Sequence, residues 1–334
     1  MKLIFVADPL DSFHIAKDST YAMMHEATRR GHTVWVCEVA DLVWHQHARV
    51  VARQARAILI SQDRIKGDGQ PSHAWFEVIA QAEVALADMD AVLMRKDPPF
   101  DNEYFYATHL LQQAQREGAR VFNHPGALRD HPEKLAILEF PNWIAPTLVT
   151  RQAEAIKAFH ATHQDIILKP LDGMGGMGIF RVGPDGLNLG SIIETLNRHG
   201  KVTVMAQKFL PEIVQGDKRV LLIAGKPVPY ALARIPQGSE VRGNLAAGGR
   251  GVAQALSSQD LAIAHALGPT LAARGLLLVG LDIIGSWLTE INVTSPTCFQ
   301  EITQQTGFDV AAMFLDALES AIHEAQLALT FSLN

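Results

Sequence analysis

The first forty residues alternate an apolar run, a helical segment and a second apolar run, and this pattern limits the folds open to the chain. Residues 2–7 predict a strand, residues 19–30 a helix that ends before Gly31, and residues 33–39 a second strand. Two strands joined through a helix lie parallel, because the helix carries the chain back to the starting edge of the sheet. The N-terminal region is therefore predicted to contain an open parallel sheet.

Strand and helix patterns continue along the chain and divide it into three regions. Residues 1–124 predict one open α/β domain, residues 125–201 a central subdomain, and residues 202–334 a C-terminal subdomain. Residues 45–75 predict a surface hairpin or an irregular excursion, with a turn at Gly67-Asp68-Gly69. Further strands are predicted at residues 91–94, 119–123, 165–168, 179–182, 202–209, 218–224, 228–234 and 279–284, and helices at 104–118, from 135 onward, 153–161, 191–198, 258–274 and 310–328.

Composition excludes several classes of protein. The net charge of −6 argues against non-specific nucleic-acid binding, which needs a basic surface. Two cysteines, Cys37 and Cys298, form no disulfide framework. The first apolar run is too short for a signal peptide, and no segment has the length of a membrane span. We therefore expect a cytoplasmic protein without nucleic-acid or membrane partners.

Residues 281–293 place three hard oxygen ligands on a predicted hairpin. Glu290 and Asn292 are two positions apart, so their side chains share one face of a strand, and Asp282 lies on the preceding strand across a turn at Gly285-Ser286. Carboxylate and amide oxygens suit Mg²⁺, which often shares its coordination with substrate phosphates. The spacing alone fits a metal site and an exposed hairpin with incidental acids equally well.

A glycine-rich loop follows Lys169 between two apolar strands. Glycines at positions 173, 175, 176 and 178 allow consecutive backbone N–H groups to turn toward one anion, and Lys169 adds positive charge for the same phosphates. No Gly-Lys-Ser/Thr closes the loop and a strand follows it, which excludes a P-loop and a dinucleotide-binding fingerprint. The pattern favours phosphate binding over a turn with surplus glycine.

Residues 235–250 form a long glycine-rich segment without apolar periodicity, and the segment contains Arg242 and Arg250. One interpretation is a lid that closes over an anionic site and excludes water. The other is a solvated loop whose arginines face bulk water. We favour the lid.

Two further segments give weaker signals. The strand that ends at residues 207–210 can offer its backbone to an adenine edge, and Asp217 can then accept from ribose hydroxyls. Arg95 follows the C-terminal end of a predicted parallel strand, where open α/β sheets bind ligands, and its guanidinium matches a carboxylate. A surface ion pair explains Arg95 equally well.

Four stretches, taken in order, make residues 1–320 resemble the ATP-grasp superfamily, and within it the prokaryotic-type glutathione synthetases. They are residues 94–100 (MRKDPPF), 167–176 (ILKPLDGMGG), 233–238 (ARIPQG) with 242–250 (RGNLAAGGR), and 280–284 (GLDII) with 288–297 (LTEINVTSPT).

The resemblance implies an α/β ATP-grasp fold with an N-terminal open parallel-sheet (pre-ATP-grasp) domain, a central ATP-grasp subdomain and a C-terminal antiparallel-sheet subdomain. It implies a homotetramer that ligates γ-glutamylcysteine to glycine through an acyl phosphate, with ATP consumed and two Mg²⁺ ions, or Mn²⁺, bound. Such chemistry needs charge neutralisation around a phosphoryl group and no protein nucleophile, which agrees with the lack of a Ser-His-Asp or Cys-His arrangement in the chain.

The resemblance also implies a role for each candidate residue. The implied metal ligands are Asp282, Glu290 and Asn292. The implied ATP-binding residues are Lys134, Lys169, Gly173, Met174, Gly175, Gly176, Gln207, Lys208, Phe209, Leu210 and Asp217. The implied catalytic arginines are Arg219 and Arg234, with Arg242 and Arg250 from the lid. The implied substrate contacts are Arg95, Asn292, Thr294 and Ser295.

Two alternative functions remain open. Another ATP-grasp carboxylate–amine ligase, such as a D-alanine–D-alanine ligase, would share the ATP site but not the lid sequence or the Arg95 loop. A non-catalytic ATP-binding regulatory protein would not need Arg242, Arg250 and Glu290 together.

Overall fold

The computed structural model of the protein describes residues 1–61, 75–238 and 240–332. An N-terminal sheet of seven strands comes first, with the order β3-β4-β2-β1-β6-β7 and with β5 beside β4. Its strands are β1 (Lys2–Val6), β2 (Thr33–Cys37), β3 (Leu42–Val43), β4 (Val51–Ile60), β5 (Phe76–Ala85), β6 (Ala91–Met94) and β7 (Val121–Phe122). Strand β1 pairs in parallel with β2 and β6, and β6 with β7, which confirms the predicted parallel sheet.

The region predicted as a surface hairpin extends this sheet. Strands β4 and β5 pair antiparallel with each other, and β4 also pairs antiparallel with β2 and β3. Strand β4 lies within the predicted range of residues 45–75, whereas its partner β5 begins only at Phe76 and was not predicted. The turn at Gly67-Asp68-Gly69 lies outside the described residues.

Two antiparallel sheets follow the N-terminal one. The second sheet, of order β10-β9-β11-β8, contains β8 (Thr147–Thr150), β9 (Ile166–Pro170), β10 (Phe180–Val182) and β11 (Val204–Lys208). The third, of order β14-β13-β12-β15-β16, contains β12 (Asp217–Ile223), β13 (Lys226–Ile235), β14 (Arg250–Ala255), β15 (Leu278–Ile284) and β16 (Trp287–Asn292). Strand β11 belongs to the second sheet, so that sheet extends past the predicted boundary at residue 201.

The helices of the described chain cover the sheets. They are α1 (Ser19–Arg29), α2 (Asn102–Arg116), α3 (Pro125–Asp130), α4 (Ala153–His163), α5 (Leu189–Asn197), α6 (Ser258–Ala273), α7 (Phe299–Thr306) and α8 (Val310–Ser332). Asp18 begins α1 by accepting from the backbone N–H of Tyr21, and Ser257 begins α6 with a reciprocal cap to Asp260. No helix of the described part combines the length and apolar character needed to cross a membrane.

The helix predicted from residue 135 onward is wrong. A short 3₁₀ turn, Ala136–Glu139, lies there instead, and α3 precedes it without having been predicted. Pro141 follows the turn closely and ends it, since proline disfavours helical backbone in the residue before it. Helix α7 and strands β8 and β14 were also not predicted.

Candidate active site

A cavity of about 290 Å³ lies between the second and third sheets. Its wall includes residues from both sheets, from the glycine-rich loop after β9 and from the segment that joins β13 to β14. The predicted site residues on this wall are Lys134, Lys169, Gly173, Met174, Gly175, Gly176, Gln207, Lys208, Phe209, Leu210, Asp217, Arg219, Arg234, Arg242, Asp282, Glu290, Asn292 and Ser295. Folding therefore gathers residues that are up to 161 positions apart in sequence, from Lys134 to Ser295, around one space.

The predicted oxygen-ligand hairpin is formed by β15 and β16. Asp282 pairs directly with Glu290, and Gly280 with Asn292, on either side of a turn at Gly285. Directly paired residues of antiparallel strands project on the same face, so both carboxylates and the Asn292 amide face the cavity. Gly285 has a φ of 59°, a left-handed conformation that glycine adopts without strain.

Asp282 is held by two arginines. The Arg219 guanidinium donates to its two carboxylate oxygens at 2.5 and 3.1 Å, and Arg234 lies 2.9 Å from Oδ2. Burial alone would raise the pKa of Asp282, but the two guanidinium groups outweigh it and hold the pKa well below its usual range. Asp282 is therefore ionised at neutral pH.

Asp217, the first residue of β12, carries an unsatisfied oxygen. Arg234 donates to Asp217 Oδ2 at 2.5 Å, whereas Oδ1 is buried and has no hydrogen-bond partner among the described residues. Burial raises the pKa of Asp217 to about 6, with Arg234 opposing the rise and Asp282 adding to it. A buried acceptor without a donor is costly, and a ligand hydroxyl at this point of the wall would satisfy it.

Two lysines bring positive charge to the same wall. Lys134 Nζ donates to the carbonyl of Gly173 and lies 2.9 Å from Glu290 Oε1, and Lys169 Nζ reaches the carbonyl of Thr289 at 3.4 Å. Burial lowers the pKa of Lys169 to about 8, although the Glu290 charge opposes the change. Lys134 therefore connects the glycine-rich loop directly to the predicted metal strand.

The glycine-rich loop and the predicted lid touch each other. Arg242 donates to the Gly176 carbonyl at 3.1 Å and forms an ion pair with Glu240 at 2.5 Å. Gly176 has a φ of 84°, and a Cβ there would lie only 2.7 Å from Asn244 Oδ1. A larger residue at position 176 would strain the backbone and force the side chain of Asn244 to move.

The predicted lid has more structure than the sequence indicated. Residues 245–247 form a 3₁₀ turn, and Arg250 begins β14 opposite Ile235. The side chain of Arg250 is exposed and does not line the cavity. A lid arginine at position 250 thus lies outside the cavity in this arrangement, because its strand pairing directs it elsewhere.

The segment predicted to meet adenine leaves one backbone donor free. The N–H groups of Lys208 and Phe209 are bonded to the carbonyls of Pro146 and Asp165, at 3.0 and 2.9 Å. The N–H of Leu210 makes no hydrogen bond within the described chain, and Leu210 lines the cavity.

Arg95 does not reach the cavity wall. Its side chain is buried, with Nε donating to Thr20 Oγ1 and Nη2 to the carbonyl of Pro296, both at 3.1 Å. Ser295 Oγ in turn donates to the carbonyl of Arg95 at 3.3 Å. In this arrangement Arg95 supports the loop that carries Ser295, and its contact with a substrate carboxylate stays a prediction. A local sequence pattern cannot reveal these contacts, since Thr20 is 75 positions away and Ser295 and Pro296 are 200 and 201 positions away.

Several wall residues were not predicted. One of them is Glu133, which precedes Lys134. Glu133 accepts a hydrogen bond from Thr294, a buried residue that was predicted as a substrate contact. Cys298 is a buried free thiol that also lines the cavity, and its burial raises its pKa. The role that the family resemblance implies for Lys134 was the available signal for its neighbour Glu133, but only the tertiary pairing with residues 291–294 shows the contacts of Glu133.

Comparison with known proteins gives concordant results for both halves of the chain. The N-terminal domain of prokaryotic glutathione synthetase matches residues 1–129, and its ATP-grasp domain matches residues 133–307. The glutathione synthetase of Ralstonia nicotianae is 58% identical over 97% of this chain and 97% of its own length. That of Nitrosomonas europaea is 58% identical over 96% of this chain and 98% of its own length.

Solved structures share the fold at low sequence identity. A D-cycloserine synthetase, DcsG, superimposes with a TM-score of 0.65 at 15% identity, covering 96% of this chain and all of that one. The ATP-grasp ligase PsnB, bound to a minimal precursor, superimposes with a TM-score of 0.61 at 19% identity, covering 95% of this chain and 98% of that one. At these identities the comparison shows the ATP-grasp fold alone.

Proposed function

The chain belongs to the family of prokaryotic glutathione synthetases, and on that premise we propose that the cavity between its second and third sheets is where ATP drives the ligation of γ-glutamylcysteine to glycine. The chain is an ATP-dependent carboxylate–amine ligase, and glutathione, ADP and phosphate are the products of this reaction. One observation carries the assignment to this cavity: Lys134 joins the glycine-rich loop at Gly173 to the metal strand at Glu290.

ATP is proposed to lie along the wall from the end of β11 to β16. The free N–H of Leu210, with the backbone around Gln207–Phe209, meets adenine, and Asp217 Oδ1 accepts from a ribose hydroxyl. The phosphates lie against Gly173, Met174, Gly175 and Gly176, where Lys134 and Lys169 neutralise them. Adenine and ribose would thus meet unsatisfied atoms of the wall, Leu210 N–H and Asp217 Oδ1, and the phosphates would meet the charges of Lys134 and Lys169.

The donor set on β15 and β16 fits a divalent cation. Within the described chain no three His, Cys, Asp or Glu residues form a metal cluster, so two carboxylates and one amide are the protein ligands available here. Asn292 Nδ2 donates to the Gly280 carbonyl at 3.3 Å, which directs Oδ1 away from that bond. Asp282, Glu290 and Asn292 would hold Mg²⁺, or Mn²⁺, with phosphate oxygens completing the coordination. A bound ion would neutralise phosphate charge as it develops.

The chemistry follows from a carboxylate that is a poor electrophile. One oxygen of the cysteinyl carboxylate attacks the γ-phosphorus of ATP, ADP leaves, and the resulting acyl phosphate is attacked by the amine of glycine. The acyl C–O bond then breaks, phosphate leaves with that oxygen, and the amine gives up a proton. Arg219 and Arg234 stabilise the negative charge beside the reacting groups, and Arg242 helps to exclude water.

The peptide substrate is proposed to lie beside residues 294–297. Ser295 and Asn292 face the cavity and contact the peptide directly, while Thr294 and Arg95 act by holding the loop of residues 294–297. Arg250 contributes only if the lid moves from the arrangement described above.

The remaining assignments concern the whole protein. We propose that residues 1–124 bind the peptide, that residues 125–201 with β11 and residues 209–334 enclose ATP, and that residues 235–250 form the lid. Two buried free cysteines suit a reducing compartment such as the cytoplasm. The homotetramer implied by the family resemblance is proposed as the working assembly, and light scattering after gel filtration would test it.

Phosphate release tests the function. The protein is assayed with ATP and Mg²⁺ plus γ-glutamylcysteine, plus glycine, or plus both, and the Glu290→Gln variant serves as the site control. We expect rapid release only with both substrates, and almost none from the variant. Release that does not depend on γ-glutamylcysteine would overturn the assignment.

A further inference from the structure

Glu133 makes four contacts with the end of β16 that the reaction described above does not use. Its Oε1 accepts from the N–H of Val293 at 3.0 Å, the N–H of Thr294 at 3.2 Å and Oγ1 of Thr294 at 2.8 Å. Its backbone carbonyl accepts from the N–H of Ile291 at 3.0 Å. One residue therefore fixes the chain on both sides of Asn292.

These contacts take the place of a neighbouring strand. Strand β16 lies at the edge of the third sheet, so the N–H groups on its outer side have no strand to pair with. Ile291 and Val293 present their N–H groups to Glu133, and the alternate positions, Glu290 and Asn292, pair inward with β15. Glu133 thus sets the backbone from which Glu290 and Asn292, the two proposed metal ligands on β16, project.

The neighbouring residue extends the same arrangement. Lys134 contacts Glu290 and the Gly173 carbonyl, so residues 133 and 134 together tie the metal strand to the phosphate loop. Within the described chain the Glu133 carboxylate accepts hydrogen bonds from neutral groups only, and burial with the nearby Glu290 charge raises its pKa. A half-buried acid without a cationic partner among the described residues costs stability, which points to a role in the site rather than in the fold.

We propose that Glu133 is a positioning residue of the ligation site: through its hydrogen bonds to residues 291–294 it holds Glu290 and Asn292 in place for the divalent cation. The inference rests on the proposed function of the cavity. Residues that orient metal ligands typically change metal affinity or activity by about 10–100-fold when they are replaced.

The test uses Mn²⁺ as the probe, because its binding can be measured without turnover. Electron paramagnetic resonance titrations with a non-hydrolysable ATP analogue are carried out on the full-length protein and on three variants. Glu133→Ala removes the acceptor, and Glu133→Gln retains an acceptor oxygen. Glu26→Ala is the control, since Glu26 is a buried carboxylate that pairs with Arg29 and Arg30 outside the cavity.

We expect Glu133→Ala to weaken Mn²⁺ binding about tenfold or more, and Glu133→Gln to recover most of that loss. The Mg²⁺ concentration for half-maximal phosphate release should move in parallel, whereas Glu26→Ala should lower stability and leave both values within twofold of the starting protein. If Glu133→Ala does not fold, Glu133→Asp is used, since its shorter side chain withdraws the oxygen from all three donors.

Two results would overturn the inference: Mn²⁺ affinity unchanged in Glu133→Ala, or Glu133→Gln as impaired as Glu133→Ala. Neither result bears on the proposed function, which is tested separately by whether phosphate release from the starting protein depends on γ-glutamylcysteine and glycine.

Discussion

Asp282 and Glu290 are directly paired across β15 and β16, yet replacing each by its amide should lower stability by very different amounts. Asp282 is 2% exposed, and it is the only carboxylate in contact with Arg219 in the described chain. Asp282→Asn therefore leaves one buried guanidinium without a counter-charge, which costs about 3–5 kcal/mol. At roughly 2–4 °C per kcal/mol, the melting temperature should fall by about 6–20 °C.

Glu290→Gln should behave differently. The Glu290 side chain is 19% exposed, and Lys134 keeps its bond to the Gly173 carbonyl and can donate to the new amide oxygen. Losing such a partly exposed pair costs about 0–1 kcal/mol. Both variants should nevertheless lose turnover by about 10²–10³-fold, because each removes a proposed ligand of the cation that would neutralise the transferring phosphoryl group.

Thermal unfolding and phosphate release, measured on the same samples at pH 7.5, separate these effects. A Glu290→Gln variant as destabilised as Asp282→Asn would contradict the distinction between the buried Asp282–Arg219 pair and the partly exposed Glu290–Lys134 pair. An Asp282→Asn variant within 1 kcal/mol of the starting protein would refute the argument from the buried Arg219.

Three further predictions concern charge and the lid. The pKa of Lys169 in the free enzyme is lowered to about 8, so its positive charge is lost as pH rises through 8, and kcat/KM for ATP should fall there. The variant Lys169→Arg stays charged and should remove that fall. An unchanged pH profile in Lys169→Arg would exclude Lys169 as the source of the fall. Arg242→Ala should raise the ratio of ATP consumed to glutathione formed, whereas Arg250→Ala, which changes an exposed residue, should alter this ratio less. The same ratio in both variants would argue against the lid. Asp217→Asn should raise KM for ATP more than it lowers kcat, and the reverse pattern would exclude a ribose contact.

Local patterns were sufficient for much of the fold. Apolar alternation and glycine stops located β1, α1 and β2, and Gly285 located the turn between β15 and β16, because each signal lies within a few residues of the structure that it specifies. The 3₁₀ turn at Ala136–Glu139 was predicted as a helix, since a short apolar run does not show where a following proline will end it.

The site could be predicted only as far as motifs carry it. Lys169, the glycine-rich loop and the three oxygen ligands stand out by residue type, and the structure gathers them around one cavity. The contacts of Arg95, Arg250 and Glu133 depend instead on pairing between distant segments, such as residue 133 with residues 291–294. Such pairings are set by tertiary packing, which a single sequence does not display.

The most direct test of the central claim follows one oxygen atom. γ-Glutamylcysteine labelled with ¹⁸O in its cysteinyl carboxylate is incubated with the protein, ATP, Mg²⁺ and glycine, and the released phosphate is analysed by mass spectrometry. If the cavity forms an acyl phosphate, one labelled oxygen passes to each phosphate as the amide bond forms. Phosphate without label, released at the same rate as glutathione, would contradict the account.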